Sequence, residues 1–319
     1  MAQPRATLKT QLTYGFGAVA YGIKDNGFGY FLLLFYGTVV GLEPSLVGTA
    51  IFIALIFDAF SDPIVGYWSD NTRSRLGRRH PFMYAAALPV AISYWALWNP
   101  PELGQLGLFW YVLCLAILIR TFITLYETPS SALMPELTSD YAQRTSIQAW
   151  RQFFGWSGGN FMSVLMFGAL LVPTSEYSTG TLNRDGYETY GLVSSVLIFF
   201  AILISAMGTH SRIPHLASPP ERDTRGLIAI FQELFQTLFE RSFLALFSAS
   251  LFGAAASGLA GAMSFLLLTY FWGFTSEQIF IYTGLVFISA ALGLWIAPKF
   301  VQRWGKKNAA IRLGILALS

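Results

Sequence analysis

Residues 46–69 read LVGTAIFIALIFDAFSDPIVGYWS, an apolar run long enough to cross a bilayer as a helix, and two aspartates lie within it. The residues that follow, DNTRSRLGRR (70–79), carry four arginines. Because basic residues at the end of a span remain in the cytoplasm, this stretch predicts a transmembrane helix that ends on the cytoplasmic side. Asp58 and Asp62 are then predicted to lie inside the membrane.

The rest of the chain repeats this pattern. Of its 319 residues, 54% are apolar and only 12% are charged, against about 25% in an ordinary soluble domain. The sequence therefore predicts an all-α integral membrane protein surrounded by lipid, with a ninth helix starting near Ala309. The eight preceding helices are predicted at 12–38, 46–69, 82–99, 107–128, 150–172, 188–209, 242–271 and 278–300.

The basic residues also predict the orientation. They collect after the second, sixth and eighth helices, whereas the connections after the first, third and fifth helices are nearly free of them. By the positive-inside rule the N-terminus and the loop at 210–226 are cytoplasmic. We expect a bacterial inner (plasma) membrane, a monomer, and no nucleic-acid partner.

The order of helices predicts two similar halves. We expect an N-terminal six-helix bundle over 1–209, a cytoplasmic loop over 210–241 with an amphipathic interfacial helix at 227–240, and a partial C-terminal bundle over 242–319. The alternative for 227–240 is an extension of the seventh helix. Residues 67–79 and 298–307 both end in Gly followed by two basic residues, each after the second helix of its half. The second half is expected to be truncated, with about eight and a half helices present in all.

Ionisable residues inside the spans indicate the chemistry. Each costs about 2.5–3.5 kcal/mol at the bilayer centre, so such residues usually face the bundle interior and have a function. Asp58 and Asp62 are four residues apart on one helix face, where a bound cation or a shared proton would relieve their repulsion. Pro63 and Pro129 would free the carbonyls of Ala59 and Leu125 as further ligands. Alternatively the acids only pair with Lys24, Arg120 and Arg151.

The basic loop at 70–79 contains residues whose presence the orientation of the chain does not explain. Positive-inside charge explains its arginines, but it explains neither the acid at the end of the helix nor the glycine. We interpret the loop as a cytoplasmic latch that opens during transport. The residues of this latch, which forms a cytoplasmic gate motif, are Asp70, Arg73, Arg75, Gly77, Arg78 and Arg79. Glycines Gly155 and Gly159, and the run from Gly253 to Gly258, predict close helix contacts.

Three stretches resemble the glycoside–pentoside–hexuronide:cation symporters of the major facilitator superfamily. They are Gly22-Ile-Lys24-Asp25, the run Phe57–Gly66 together with Thr72–Pro81, and Thr124-Leu-Tyr-Glu127-Thr-Pro129. The resemblance implies a Na⁺ or H⁺ site formed by Asp58, Asp62, Thr124 and Glu127. It also implies a substrate site formed by Lys24, Asp25, Arg151 and Glu127.

This resemblance implies symport of a sugar or glycoside by alternating access, with a coupling cation and no other cofactor. Two departures affect the cargo: Glu127 replaces the usual Asp, and Ser131 stands where a sugar-stacking aromatic is expected. Lysolipid transporters share the motifs, so a symporter of lysolipid or another amphiphilic solute is the alternative. An enzyme or receptor is disfavoured because the sequence has no nucleophile–base pattern and no transition-metal site; its one cysteine is Cys114.

Overall fold

The computed structural model describes residues 5–177, 180–216, 232, 236–237, 239–267, 271–274 and 276–318. Within these ranges every regular element is a helix and no strand occurs. The predicted all-α fold is therefore confirmed. The predicted amphipathic segment at 227–240 lies mostly outside the described residues, so this prediction stays a prediction.

Ten α-helices are described, and three π-helical segments interrupt or extend them. The helices are α1 (Leu8–Phe16), α2 (Ala18–Asn26), α3 (Leu32–Leu34), α4 (Pro44–Asn71), α5 (His80–Leu97), α6 (Gln105–Leu137), α7 (Tyr141–Leu165), α8 (Arg184–His210), α9 (Arg241–Leu266) and α10 (Ser276–Leu318). The π-helical segments are Gly27–Phe31, Phe35–Val39 and Met166–Leu170.

The helices follow the predicted spans with three differences. The first span is broken into α1, α2 and α3 with π-helical segments between and after them. The fourth span continues through Pro129 and Pro135 to Leu137, and the fifth begins at Tyr141, nine residues earlier than predicted. Apolar content locates the span but not its polar ends, so these extensions into Glu- and Arg-containing sequence were missed. Within α10, Gly305 has non-helical backbone (φ 73°, ψ 160°), close to the predicted start of the ninth helix.

Four of the described helices are long and apolar enough to cross a membrane, judged by length and composition. They are α4 (Pro44–Asn71), α6 (Gln105–Leu137), α8 (Arg184–His210) and the part Arg241–Ala260 of α9.

Contacts divide the chain into two units. One comprises Met1–Pro219 with Leu285–Ser319, and the other comprises Pro220–Gly284. Within the first unit, α5 packs against α6 and α8, α2 against α7, α4 against α6, and α1 against α7 and α8. The helices of the first six predicted spans therefore form one bundle. The predicted boundaries at 209 and 241 stay predictions.

Glycines bring the first and fifth spans into close contact. A Cβ added at Gly22 would lie 1.9 Å from the carbonyl oxygen of Gly155, and one added at Gly159 would lie 2.1 Å from Asn26 Nδ2. No side chain fits at such distances, so glycine allows the two backbones to touch. The predicted contact role of Gly155 and Gly159 is confirmed. At Gly253 and Gly258 an added Cβ would meet nothing within 4 Å among the described residues, so no such contact is found there.

Buried aromatic residues close one end of the bundle. The rings of Trp98 and Tyr187 are stacked with centroids 6.2 Å apart, and the ring centroid of Phe35 lies 4.7 Å from that of Tyr187. The Tyr36 hydroxyl donates a hydrogen bond to the Leu97 carbonyl at 2.7 Å. These contacts join the first, third and sixth spans. They fix the end of the bundle opposite the basic loop.

Replacing Gly22 by alanine should destabilise the bundle. The added methyl group would have to displace the Gly155 carbonyl, and overpacking of this kind costs about 1–3 kcal/mol. Thermal unfolding of the purified chain in detergent measures the effect. Gly29→Ala is the matched control, because an added Cβ there meets nothing within 4 Å. Equal melting temperatures for the two variants would contradict the close contact.

Candidate functional site

The candidate site lies where one face of α4 meets one face of α6. Asp58 and Asp62 share a face of α4 because they are one helical turn apart. On α6 the polar residues recur at spacings of three and four, which also places them on a common face. These are Arg120, Thr124, Glu127, Thr128 and Ser131.

A cavity of about 360 Å³ lies between these two faces and α2. Eight of its ten lining residues are polar or charged, and only Ile123 and Ala132 are apolar. The polar lining residues are Lys24, Asp58, Asp62, Arg120, Thr124, Glu127, Thr128 and Ser131. All four residues predicted for the cation site line this cavity, as does Lys24 of the predicted substrate site.

The two aspartates have different partners. Arg120 Nη1 donates to Asp58 Oδ2 at 2.8 Å, and both side chains are largely buried. The Thr124 hydroxyl lies 2.8 Å from Asp62 Oδ1 and 3.3 Å from Asp58 Oδ1. A hydroxyl has one proton, so Thr124 donates to only one of the two carboxylates at a time. Asp58 thus has a permanent positive partner, whereas none of the Lys and Arg side chains among the described residues lies within 4 Å of Asp62.

The predicted substrate residues form two further ion pairs. Lys24 Nζ is 2.5 Å from Asp25 Oδ1, with the lysine buried and the aspartate 63% exposed. Arg151 Nη2 is 3.6 Å from Glu127 Oε1, and its guanidinium lies 5.4 Å from the centre of the Tyr21 ring. Glu127 therefore connects α7 to the cavity. The alternative prediction, in which the acids pair with basic residues, describes Asp25, Asp58 and Glu127 but not Asp62.

These ion pairs leave a net charge of one negative unit among the charged residues at and beside the cavity. The ion-paired residues and Asp62 comprise three basic and four acidic side chains, so one negative charge lacks a partner among the described residues. No three His, Cys, Asp or Glu side chains in the described part of the chain are grouped closely enough to hold a metal ion. Glu127 therefore shares the cavity with the two aspartates without completing a three-carboxylate set in this conformation. Ala59 and Leu125, whose carbonyls the prolines were predicted to free, are not among the residues that line the cavity.

A second charged cluster lies beside the basic loop. Asp70 accepts from Arg79 Nη2 at 3.2 Å and lies 3.9 Å from Arg78 Nη1. Glu136, near the end of α6, pairs with Arg78 and lies 2.8 Å from Arg79 Nη2. Both arginines and Glu136 are nearly buried. We call these four residues the Arg78 cluster; it joins the end of α4 to the end of α6.

Gly77 gives the loop its shape. Its φ is +75°, which L-residues rarely adopt, and an added Cβ would lie 3.3 Å from Ile213 Cγ2. The turn is closed by hydrogen bonds from Gly77 N to the Ser74 carbonyl and from the Ser74 hydroxyl to the Gly77 carbonyl. Arg73 and Arg75 are exposed.

Sequence reasoning missed one residue of these sites, Glu136, and left the partner of another, Arg120, open. Glu136 was placed in a loop because the fourth helix was predicted to end at 128; an acid directly after Pro135 was the available signal. Arg120 was recognised as an intramembrane charge, but its partner was left open. Neither partner could be identified before the crossing of α4 and α6 was known.

Comparison with known proteins identifies the family. The family described as MFS/sugar transport protein matches residues 13–319. An uncharacterized symporter of Synechocystis is 36% identical over 206 residues, which are 62% of this chain and 36% of the relative. The sodium-dependent lysophosphatidylcholine symporter 1 of Gallus gallus is 24% identical over 97% of this chain and 62% of the relative. The isoprimeverose transporter of Lactiplantibacillus pentosus is 24% identical over 65% of this chain and 43% of the relative.

All three relatives have the names of transporters rather than enzymes, in agreement with the sequence expectation. The chain spans between 36% and 62% of the length of these relatives. The family match covers nearly all of the chain and agrees with the presence of helices long and apolar enough to cross a membrane. The chain therefore belongs to the MFS/sugar transport protein family of the major facilitator superfamily, whose members are integral membrane transporters.

Proposed function

We propose that this protein is a cation-coupled symporter that moves a small polar solute, a sugar or glycoside, by alternating access. The single observation that carries the proposal is the state of Asp62. It is a carboxylate inside a membrane span, open to a cavity and hydrogen-bonded to Thr124, with no basic partner among the described residues. Such a charge is costly in a membrane unless a cation or a proton neutralises it.

The cation step follows from this charge. Na⁺ or H⁺ at Asp62 would neutralise the cavity, and oxygen atoms of Thr124 and Asp58 lie close enough to complete its surroundings. Glu127 would join the cation site when Arg151 releases it. Release requires little change, because the distance of 3.6 Å between Arg151 Nη2 and Glu127 Oε1 is already longer than a direct hydrogen bond. The empty, negatively charged cavity disfavours closure, so cation and solute bind cooperatively.

The character of the solute follows from the cavity lining. A volume of about 360 Å³ lies near the lower end of the range for small-molecule sites, roughly 300–1,000 Å³. The predominance of hydroxyl and charged groups suits a molecule with many hydroxyl groups. The family description names sugar transport, and one relative is named an isoprimeverose transporter. Lys24, Asp25 and Arg151 are the proposed solute ligands.

A lysolipid is the second candidate solute. The relative from Gallus gallus matches nearly the whole chain and is named for sodium-dependent lysophosphatidylcholine symport. No aromatic residue of the described chain lines the cavity, so no ring is available there to stack on a sugar. Uptake into proteoliposomes of labelled glycosides and of lysophosphatidylcholine, each with imposed Na⁺ or H⁺ gradients, distinguishes the candidates. Gradient-driven uptake of neither solute class would reject the proposed cargoes.

The Arg78 cluster is the proposed cytoplasmic latch. Its ion pairs tie α4 to α6 at the end that positive-inside charge assigns to the cytoplasm. Breaking them would free this end of the bundle to move during the transport cycle. We further propose a monomer in the bacterial inner membrane, with the N-terminus in the cytoplasm.

Asp62→Asn should abolish cation dependence. The amide keeps the shape and a hydrogen bond to Thr124 but removes the unpaired charge, so we expect cation stimulation of solute uptake to fall at least about tenfold. Uptake into proteoliposomes with and without a Na⁺ or H⁺ gradient measures this. Glu102→Gln, an exposed carboxylate remote from the cavity-lining residues, is the control and should behave as wild type. Full cation stimulation in Asp62→Asn would reject the coupling role.

Asp70→Asn should change the rate of uptake while leaving the apparent solute affinity unchanged. Asp70 is outside the cavity and holds Arg79 in the Arg78 cluster, so the change acts on the conformational step. Initial rates of uptake over a range of solute concentrations separate the two parameters. Unchanged rates would count against the latch.

Glu136→Gln should be more damaging to the fold than Asp70→Asn. It leaves two nearly buried arginines short of a partner, and breaking a buried pair costs about 3–5 kcal/mol. Glu188→Gln removes the exposed Arg184–Glu188 pair and should cost less than about 1 kcal/mol. Thermal unfolding of both variants measures the contrast, and equal losses would contradict burial of the cluster.

A further inference from the structure

Arg120 occupies an unusual position in the cavity. Its buried guanidinium lines the cavity and forms an ion pair with Asp58 but not with Asp62. An arginine keeps its proton in proteins, so it is a permanent positive charge that cannot be exchanged during a transport cycle. A bound Na⁺ or H⁺, by contrast, must enter and leave.

The structure holds this charge in place. Arg120 Nη1 is 2.8 Å from Asp58 Oδ2, and the guanidinium lies 5.4 Å from the centre of the Phe28 ring. A cation over an aromatic face is attracted by the ring quadrupole, so Phe28 supports Arg120 from the side of the first span. The Nε atom is buried without a hydrogen-bond partner in the described residues, and no other carboxylate pairs with the guanidinium there.

We propose that Arg120 is a built-in counter-charge that sets the number of exchangeable cations at one. Arg120 neutralises Asp58, so that Asp62 alone requires a mobile cation; this rests on the proposed symport function. Asp58 then positions the site through Thr124 and Arg120, while Asp62 is the direct cation ligand. Arg120 is a specificity-determining residue that acts through Asp58.

The charge count makes the proposal quantitative. With Lys24 paired to Asp25, Arg151 to Glu127 and Arg120 to Asp58, one unpaired negative charge remains. Removing the Arg120 charge would leave two unpaired carboxylates four residues apart, which attract a second cation. Removing the Asp58 charge instead would leave Arg120 unpaired beside Asp62 and expel the cation.

Four variants of the full chain test the count. Arg120→Gln should bind about two cations per chain with a steeper concentration dependence, whereas Asp58→Asn should weaken cation binding at least about tenfold. The double variant Asp58→Asn/Arg120→Gln loses both charges and should return to about one cation per chain. Arg120→Lys keeps the charge and should retain single-cation binding.

Radiolabelled Na⁺ binding to purified chain in lipid nanodiscs gives the number bound and its concentration dependence. Should wild type bind no Na⁺, the same variants are compared by acid–base titration, with the proton at Asp62 counted as the difference from Asp62→Asn. Thermal unfolding reports separately on folding, so a variant that loses only a structural tie melts earlier without a change in cation number.

The outcomes separate this inference from the proposed function. A wild-type chain that binds neither Na⁺ nor an Asp62-dependent proton rejects the symport proposal and this inference together. A wild-type chain that binds one cation, with Arg120→Gln also binding one, rejects only the counter-charge role of Arg120. Failure of the double variant to recover cation binding would show that Asp58 is itself an indispensable ligand and would overturn the division of roles.

Discussion

The Arg120–Asp58 ion pair joins α6 to α4 at 2.8 Å inside a cavity in the membrane-spanning bundle. Next to it, the Thr124 hydroxyl reaches both aspartates and donates to one at a time. Charges in this environment are costly unless they are compensated, so the pairing of α4 with α6 depends on these contacts. The same contacts leave Asp62 as the site of unpaired charge, which links the packing of the bundle to the proposed chemistry.

The first span brings Lys24 to this cavity, where the lysine pairs with its neighbour Asp25. Lys24 and Asp25 lie just before the π-helical segment Gly27–Phe31, where the helix changes its hydrogen-bond pattern. Such segments are frequent at functional sites because they alter the direction of neighbouring side chains. The contact of Gly22 with Gly155 holds this span against α7, which carries Arg151. Close backbone packing therefore positions both predicted solute-binding elements.

The Arg78 cluster joins the same two helices at a second level. Asp70 and Glu136 lie near the ends of α4 and α6, and Arg78 and Arg79 of the loop after α4 connect them. Gly77 permits the turn of this loop through its positive φ, and a side chain added there would crowd Ile213. The α4–α6 pair is thus tied by charge both at the cavity and at the basic loop. A change of charge at the cavity therefore acts on the same pair of helices as a change of charge at the basic loop.

Hydropathy and charge placement in the sequence determined the all-helical membrane fold, the position of most spans and the set of polar residues that share a face. Helical periodicity suffices for this, since Asp58 and Asp62 lie one turn apart in any helix. It does not determine partners on other helices, which depend on how the helices cross and rotate. Only the tertiary structure decided that Arg120 pairs with Asp58, that Asp62 is left with Thr124, and that Glu136 completes the Arg78 cluster, because these contacts join residues 58 to 62 positions apart in the chain.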